Sequence, residues 1–119
     1  MFVKFIKSVG FALTGVKWFF KNERNAPVHL AAATGVIVIG VFTELNSTEW
    51  CFIALAIGVV LAAEIFNTAI EKTVDVIFKE QNENAGLIKD LAAGGVLVCS
   101  LLAAAIGVII FLPKILIHF

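Results

Sequence analysis

Residues 91 to 112 read LAAGGVLVCSLLAAAIGVIIFL, a run without a single charged side chain. As an α-helix rising about 1.5 Å per residue, this run is about 33 Å long, enough to cross about 30 Å of bilayer hydrocarbon. Such a length of apolar sequence is typical of a transmembrane helix rather than of the core of a small soluble domain. The run therefore predicts that the chain spans a membrane.

The composition of the whole chain agrees with this prediction. Of the 119 residues, 61% are hydrophobic and 15% are charged, whereas soluble domains are usually about half apolar and about a quarter charged. The mean hydropathy is +1.01. Nine basic and nine acidic residues leave no net charge, so the charge balance does not indicate a nucleic-acid partner. These numbers predict a single-domain, all-α integral membrane protein.

Small side chains recur every four residues along the last apolar run, at Gly95, Cys99, Ala103 and Gly107. Such a ladder permits close approach of a neighbouring helix, within one protomer or between protomers. Cys51 and Cys99 both lie in apolar surroundings, and their spacing fits neither a disulfide nor a metal pair,. Both cysteines are interpreted as packing residues.

Two further spans are expected before the last one. Asn25 can cap a helix whose first turn accepts Pro27, because that position needs no amide proton. A short polar loop then precedes the next helix, which Ser47 or Thr48 would cap. The spans are expected over residues 26–45, 48–78 and 86–116, with a polar connection at 79–86.

The N-terminal segment, residues 1–21, is apolar but interrupted by lysines, and at about 100° per residue it separates into two faces. A basic amphipathic helix of this kind lies in the membrane interface rather than crossing it. Phe11 and Trp18 fall on the polar face, where they would contact a neighbouring helix or a bound nucleotide. The apolar face holds Phe2, Phe5, Ile6, Val9, Leu13, Val16, Phe19 and Phe20, and the opposite face Lys4, Lys7, Thr14, Lys17 and Lys21.

The distribution of basic residues predicts the orientation. Lysine and arginine are concentrated before the first span and between the second and third, whereas the loop at 44–49 has two acids and no base. By the positive-inside rule, the N-terminus and the second connection are cytoplasmic, and the C-terminus lies outside.

An acidic stripe occupies the cytoplasmic part of the second span. From Glu64, offsets of three, seven and eleven residues place Asn67, Glu71 and Asp75 within an arc of about 80° on one helix face,. Glu64 lies about 21 Å along the helix from Trp50 and is still inside the membrane. An ionisable group at that depth is costly unless it is partnered, which marks it as a functional candidate. We expect Asn67 to be its hydrogen-bonding partner.

The topology brings further carboxylates, Glu23 and Asp90, to the same surface, with lysines among them. Carboxylate oxygens of this kind hold Mg²⁺, usually together with substrate phosphates. The alternative is structural: Glu64 and Asn67 would hydrogen-bond across helices, while Asp75 and Asp90 would be solvated or act as caps. Neither a GxxxxGK[ST] run nor the protein-kinase motifs are present, so any ATP chemistry here uses another design,.

The stretch AAEIFNTAIEKTVD, residues 62–75, carries the pattern E-x-x-N-[ST]-A-[IL]-E-x-x-x-D, which resembles the signature of the prokaryotic diacylglycerol kinase family. That family includes undecaprenol kinases. The likeness extends over nearly the whole chain, through the basic amphipathic start, the segment GVK at 15–17, the pair Asn22-Glu23 and the segment IKDLAAG at 88–94.

The resemblance implies a homotrimeric membrane kinase of three spans per protomer, with active sites between protomers at the cytoplasmic interface of a bacterial inner membrane. It implies transfer of the γ-phosphoryl group of ATP to the hydroxyl of a membrane lipid, with Mg²⁺. By position, Glu71 would be the base and a Mg²⁺ ligand, and Glu23 a second ligand. Glu64 and Asn67 would position the lipid hydroxyl. The nucleotide would be bound by Lys4, Glu23, Glu71, Asp75 and Lys89, supported by Asp90.

Two acceptors are considered within this class. KNERN at 21–25 with His29, and FLPK at 111–114, look more like undecaprenol kinases than diacylglycerol kinases, so undecaprenol is favoured. The alternative from another class is a small oligomeric transporter or channel subunit, with the stripe lining a polar path. A pore needs polarity along its whole length, whereas the acids here gather at one end and the last span has no polar line.

Overall fold

Four α-helices make up the protein, as seen in a computed structural model that describes residues 1–118, with His118 described by its backbone alone. They are α1 (Phe2–Asn22), α2 (Ala26–Phe42), α3 (Ser47–Ile77) and α4 (Glu83–His118). The all-helical prediction is confirmed.

A sharp corner joins α1 to α2, whose axes meet at 98°. Backbone hydrogen bonds hold the corner: the Glu23 N–H donates to the Phe19 carbonyl at 2.9 Å, and the Ala26 N–H to the Glu23 carbonyl at 3.3 Å. Phe19 and Ala26 are buried inside it. The Asn25 side chain makes no capping bond, although Pro27 stands in the first turn as expected. A helix turned by this angle has the orientation that a surface helix beside a span requires.

Helix α2 ends three residues earlier than predicted. Glu44 has a φ of 54°, in the left-handed region that terminates helices,. The Leu45 N–H then reaches the Gly40 carbonyl at 3.4 Å, closing the last turn. A Cβ on Gly40 would lie 2.7 Å from the Trp50 ring, so glycine permits the close approach of α2 and α3 here,. No glycine marks the left-handed position, which is why the sequence did not reveal this end.

Asparagine caps both long helices. The Asn46 side chain accepts from the Glu49 N–H at 2.8 Å, and the Glu49 carboxylate accepts from the Asn46 N–H at 3.0 Å. This capping box takes the place of the expected Ser47 or Thr48 cap,. Asn82 accepts from the Ala85 N–H at 2.8 Å, so α4 begins at Glu83 rather than at residue 86, and the connection is shorter than predicted.

Two of the helices, α3 and α4, are individually long and apolar enough to cross a membrane, and the bent pair α1 and α2 passes the same test only together. Helix α2 has 17 residues, about 26 Å at 1.5 Å per residue, which is at the short end of the range for a span. By length and composition, the described chain therefore has two helices that could span a membrane, or three spans if the bent pair counts as one.

Helices α3 and α4 pack along one another, and their far ends are joined by an ion pair of 3.3 Å between Lys114 and Glu49. The small-residue ladder is not used inside the chain at Gly95 or Gly107, where a Cβ would meet nothing within 4 Å. Few of the described apolar side chains are buried. They are Phe19, Ala26, Ile53, Ala56, Val74, Ala85 and Ile110, while large apolar side chains are exposed on every helix. Lipid or further protomers must cover this surface, as expected of a membrane protein.

Candidate active site

The deepest member of the acidic stripe is bound by a residue of another helix. His29 of α2 places its Nε2 2.7 Å from Oε1 of Glu64 on α3. Both side chains are largely buried, with exposed fractions of 22% for His29 and 12% for Glu64. Because a carboxylate can only accept a hydrogen bond, Nε2 carries the proton when Glu64 is ionised. The partner of Glu64 is thus His29, and the expectation that Asn67 would fill that place is wrong.

Asn67 instead contacts the next carboxylate along the stripe. Its Nδ2 donates to Oε1 of Glu71 at 3.3 Å. Its Oδ1 is buried and has no hydrogen-bonding partner among the described residues, which is unfavourable unless a ligand donates to it. The side chain therefore holds one carboxylate and offers an unoccupied acceptor in the same place.

The outer end of the stripe joins α3 to α4. Lys89 donates to Oδ1 of Asp75 at 2.6 Å. The charge of Glu71 is also nearby. The lysine ammonium group is therefore held beside two carboxylates.

A polar hollow of about 690 Å³ adjoins this ion pair. Asp75 and Lys89 form part of its wall, and the connection between α3 and α4, residues 78–82, supplies most of the rest. Its size and polarity are sufficient for part of a nucleotide.

An apolar groove of about 300 Å³ lies at the other end of the stripe. It runs between α2, α3 and α4, and its lining includes Val36, Val60, Leu61 and Ser100. His29 is the first residue of α2 to line it. The groove thus has His29, the partner of Glu64, at one end, and mostly aliphatic side chains along the rest of its length.

In the described structure, three of the predicted site residues make no contact with the stripe through a hydrogen bond or an ion pair. Within the described part of the chain, the side chains of Lys4, Glu23 and Asp90 make no hydrogen bond or ion pair. Lys4 and Asp90 are exposed, and Glu23 is half-buried at the corner between α1 and α2. Within the described chain, only the stripe, His29 and Lys89 are brought together.

The sequence matches the model of the prokaryotic diacylglycerol kinase family over residues 10–111. The chain belongs to this family. It is 42% identical over 111 residues to an undecaprenol kinase of Bacillus subtilis (strain 168), an overlap that covers 93% of this chain and 90% of the relative. It is 28% identical over 102 residues to a diacylglycerol kinase of Escherichia coli (strain K12), covering 86% and 84%.

A diacylglycerol kinase of Synechocystis sp. (strain ATCC 27184 / PCC 6803 / Kazusa) is 32% identical over 110 residues, which cover 92% of this chain but 63% of that longer relative. Membership of the family confirms that this protein is a lipid kinase, a phosphotransferase with a lipid alcohol as acceptor. The transporter alternative has no support from these relatives.

In this lipid kinase, Trp18, one of the two aromatic residues on the polar face of α1, attaches α1 to α3. Lys72 of α3 places Nζ 4.3 Å from the centroid of the Trp18 ring, a cation–π contact,. The interpretation of Trp18 as a contact with a neighbouring helix is confirmed, whereas Phe11 is 76% exposed. The contact fastens α1 to α3, the helix that carries the stripe.

A Mg²⁺ site in this lipid kinase would be shared with a ligand or another protomer. Among the described residues, no three His, Cys, Asp or Glu side chains are grouped to hold a metal ion. Glu71 nevertheless has one carboxylate oxygen that makes no hydrogen bond in the described structure, since Asn67 contacts only Oε1. Glu71 can therefore bind a cation together with phosphate oxygens, as Mg²⁺ sites in kinases do.

Proposed function

We propose that this protein transfers the γ-phosphoryl group of Mg²⁺-bound ATP to the hydroxyl of undecaprenol, in preference to diacylglycerol. The observation that carries the proposal is the position of the stripe, which connects an apolar groove to a polar hollow. Glu64 and Asp75 are eleven residues apart on α3, about 16 Å along the helix axis, and Glu71 lies between them. A soluble donor and a membrane-bound acceptor could meet at Glu71.

The donor end lies at the hollow. Lys89 supplies a fixed positive charge for the phosphates, and Asp75 holds its ammonium group in place,. We assign nucleotide binding to Lys4, Glu23, Glu71, Asp75 and Lys89, with Asp90 in support. Mg²⁺ held by Glu71 and Glu23 would neutralise phosphate charge.

The chemistry at the acceptor end requires one proton transfer. The lipid hydroxyl oxygen bonds to the γ-phosphorus, the bond to the bridging oxygen of ADP breaks, and the hydroxyl proton passes to a carboxylate. We assign that carboxylate to Glu71, which Asn67 orients. We assign positioning of the incoming hydroxyl to Asn67 and Glu64, so that its single proton is directed at Glu71.

The acceptor preference follows from the side chains of α3 that surround the stripe. A polyprenol has one hydroxyl and one apolar chain, whereas diacylglycerol brings two esters whose carbonyls need polar partners. Around the stripe, α3 presents side chains that cannot donate a hydrogen bond: Ala62, Ala63, Ile65, Phe66 and Ala69. The 42% identity to an undecaprenol kinase supports the same choice.

We further propose that the protein is a homotrimer of the bacterial inner membrane with its sites between protomers. Two observations support this: Glu23 and Lys4 are not engaged within the described chain, and large apolar side chains are exposed on all helices. The N-terminus and the connection at 78–82 would be cytoplasmic, and the C-terminus outside.

The acceptor assignment predicts a higher kcat/KM for undecaprenol than for diacylglycerol, by roughly tenfold for one unsatisfied ester carbonyl. Both lipids would be assayed in the same detergent micelles at saturating Mg²⁺-ATP. A preference for diacylglycerol would overturn the acceptor choice while leaving the kinase intact.

The topology predicts opposite accessibility for two introduced cysteines, in a Cys51→Ala/Cys99→Ala background. Gln81→Cys should react with a membrane-impermeant maleimide only when the cytoplasmic side is exposed, and Ser47→Cys only from outside. Labelling of both positions from the same side would contradict the proposed orientation.

A further inference from the structure

We propose that His29 is a positioning residue of the phosphoryl-transfer reaction: it holds the Glu64 carboxylate in one orientation beside the place where the lipid hydroxyl binds. This inference rests on the proposed function, because it assigns a role within the same site. His29 is remote from the stripe in sequence and stands on a different helix, so only the folded chain brings the two residues together.

The geometry gives the His29–Glu64 contact a specific role. Within the described residues it is the one side-chain hydrogen bond between α2 and α3. The 2.7 Å contact engages Oε1 of Glu64, which leaves Oε2 as the oxygen that can face a substrate. Without His29 the carboxylate could rotate among several orientations.

Because the Glu64 side chain is largely buried, its hydrogen bond to His29 is difficult to replace. Glu64 is only 12% exposed at the side chain, so water cannot replace a lost partner fully, and an unpartnered carboxylate in this environment is costly. A neutral imidazole satisfies the carboxylate through one N–H donor without introducing a second full charge.

The apolar groove adds an independent observation. His29 lines the groove as well as contacting Glu64. A lipid chain lying in the groove would bring its terminal hydroxyl to the end where the His29–Glu64 pair stands. A positioning residue there should affect turnover more than nucleotide binding, because Asp75 and Lys89 lie at the opposite end of the stripe.

The test compares His29→Ala with Thr34→Ala, a change on the same helix that lies outside the groove lining. His29→Ala should lower kcat with the lipid acceptor by roughly 10- to 100-fold, the loss typical of misplaced reacting groups, with the KM for ATP unchanged. Thr34→Ala should retain the kcat of the wild type. His29→Gln, which keeps a donor, should recover part of the loss.

Added imidazole supplies a readout that a purely structural role would not move. Imidazole should restore part of the kcat of His29→Ala, because removal of the ring leaves space beside Glu64, and should restore nothing in His29→Ala/Glu64→Gln. Equal kcat for His29→Ala and wild type would overturn the inference. So would a loss that neither glutamine nor imidazole relieves. A wild-type protein that phosphorylates no lipid would instead refute the proposed function.

Discussion

Replacing Glu71 with glutamine should lower kcat for lipid phosphorylation by about 10³-fold or more. The amide keeps the volume of the side chain and its contact with Asn67. It removes both the proposed proton acceptor and the negative charge that would bind Mg²⁺, and loss of a general base alone typically costs 10²- to 10⁴-fold. The measurement is kcat with saturating ATP and lipid, on protein whose thermal unfolding matches that of the wild type.

Glu44→Gln provides the matched control, since Glu44 lies in the loop at the opposite end of α3 and should be silent. A Mg²⁺ titration separates the two roles of Glu71. If Glu71→Gln regains turnover at high Mg²⁺ while Glu64→Gln does not, the base is Glu64 and Glu71 is only a metal ligand. Wild-type turnover by a folded Glu71→Gln protein at ordinary Mg²⁺ would contradict both roles.

Replacing Lys89 with methionine should lower kcat/KM for ATP by roughly 10²-fold, the usual loss when a fixed charge that stabilises a transferring phosphoryl group is removed. Stability should change little, because the Lys89–Asp75 pair is solvent-exposed and exposed pairs contribute little,. Lys114→Met breaks the other ion pair between α3 and α4, with Glu49, and should leave kcat/KM unchanged.

Exchanging the two charges of the Asp75–Lys89 pair distinguishes phosphate binding by Lys89 from a structural role of the ion pair. Asp75→Lys combined with Lys89→Asp can rebuild an ion pair between the two helices but presents the charges in reversed positions. If Lys89 binds phosphate, the exchanged protein stays as impaired as Lys89→Met. Recovery of activity on exchange would show that the pair serves only to join α3 to α4.

Local sequence patterns were sufficient to predict the helices and the face of α3 that carries the stripe. The charge-free run 91–112 and the spacing of Glu64, Asn67, Glu71 and Asp75 depend only on neighbours along one helix. The helix ends were less predictable, because Glu44 adopts a left-handed conformation without being glycine, and Asn46 rather than Ser47 forms the capping box.

Contacts between helices were the part that the sequence could not supply. The partner of Glu64 is His29, and nothing in the local spacing links two residues on different helices. A polar residue in the otherwise apolar early part of α2 was the only available signal. The positions of Lys4, Glu23 and Asp90 relative to the stripe could not be predicted either. Contacts between protomers would be needed to bring these residues to the stripe.

The most direct test of the proposed function is to measure whether labelled phosphorus from ATP is transferred to the lipid. Purified protein in micelles containing undecaprenol would be given Mg²⁺-ATP labelled either at the γ- or at the α-phosphorus, and the lipid would then be extracted. A lipid kinase acting as proposed transfers the γ-label to undecaprenyl phosphate and leaves the α-label in the aqueous phase with ADP. If the γ-label remains entirely in the aqueous phase with every lipid alcohol offered, including diacylglycerol, then the site on α3 does not perform phosphoryl transfer.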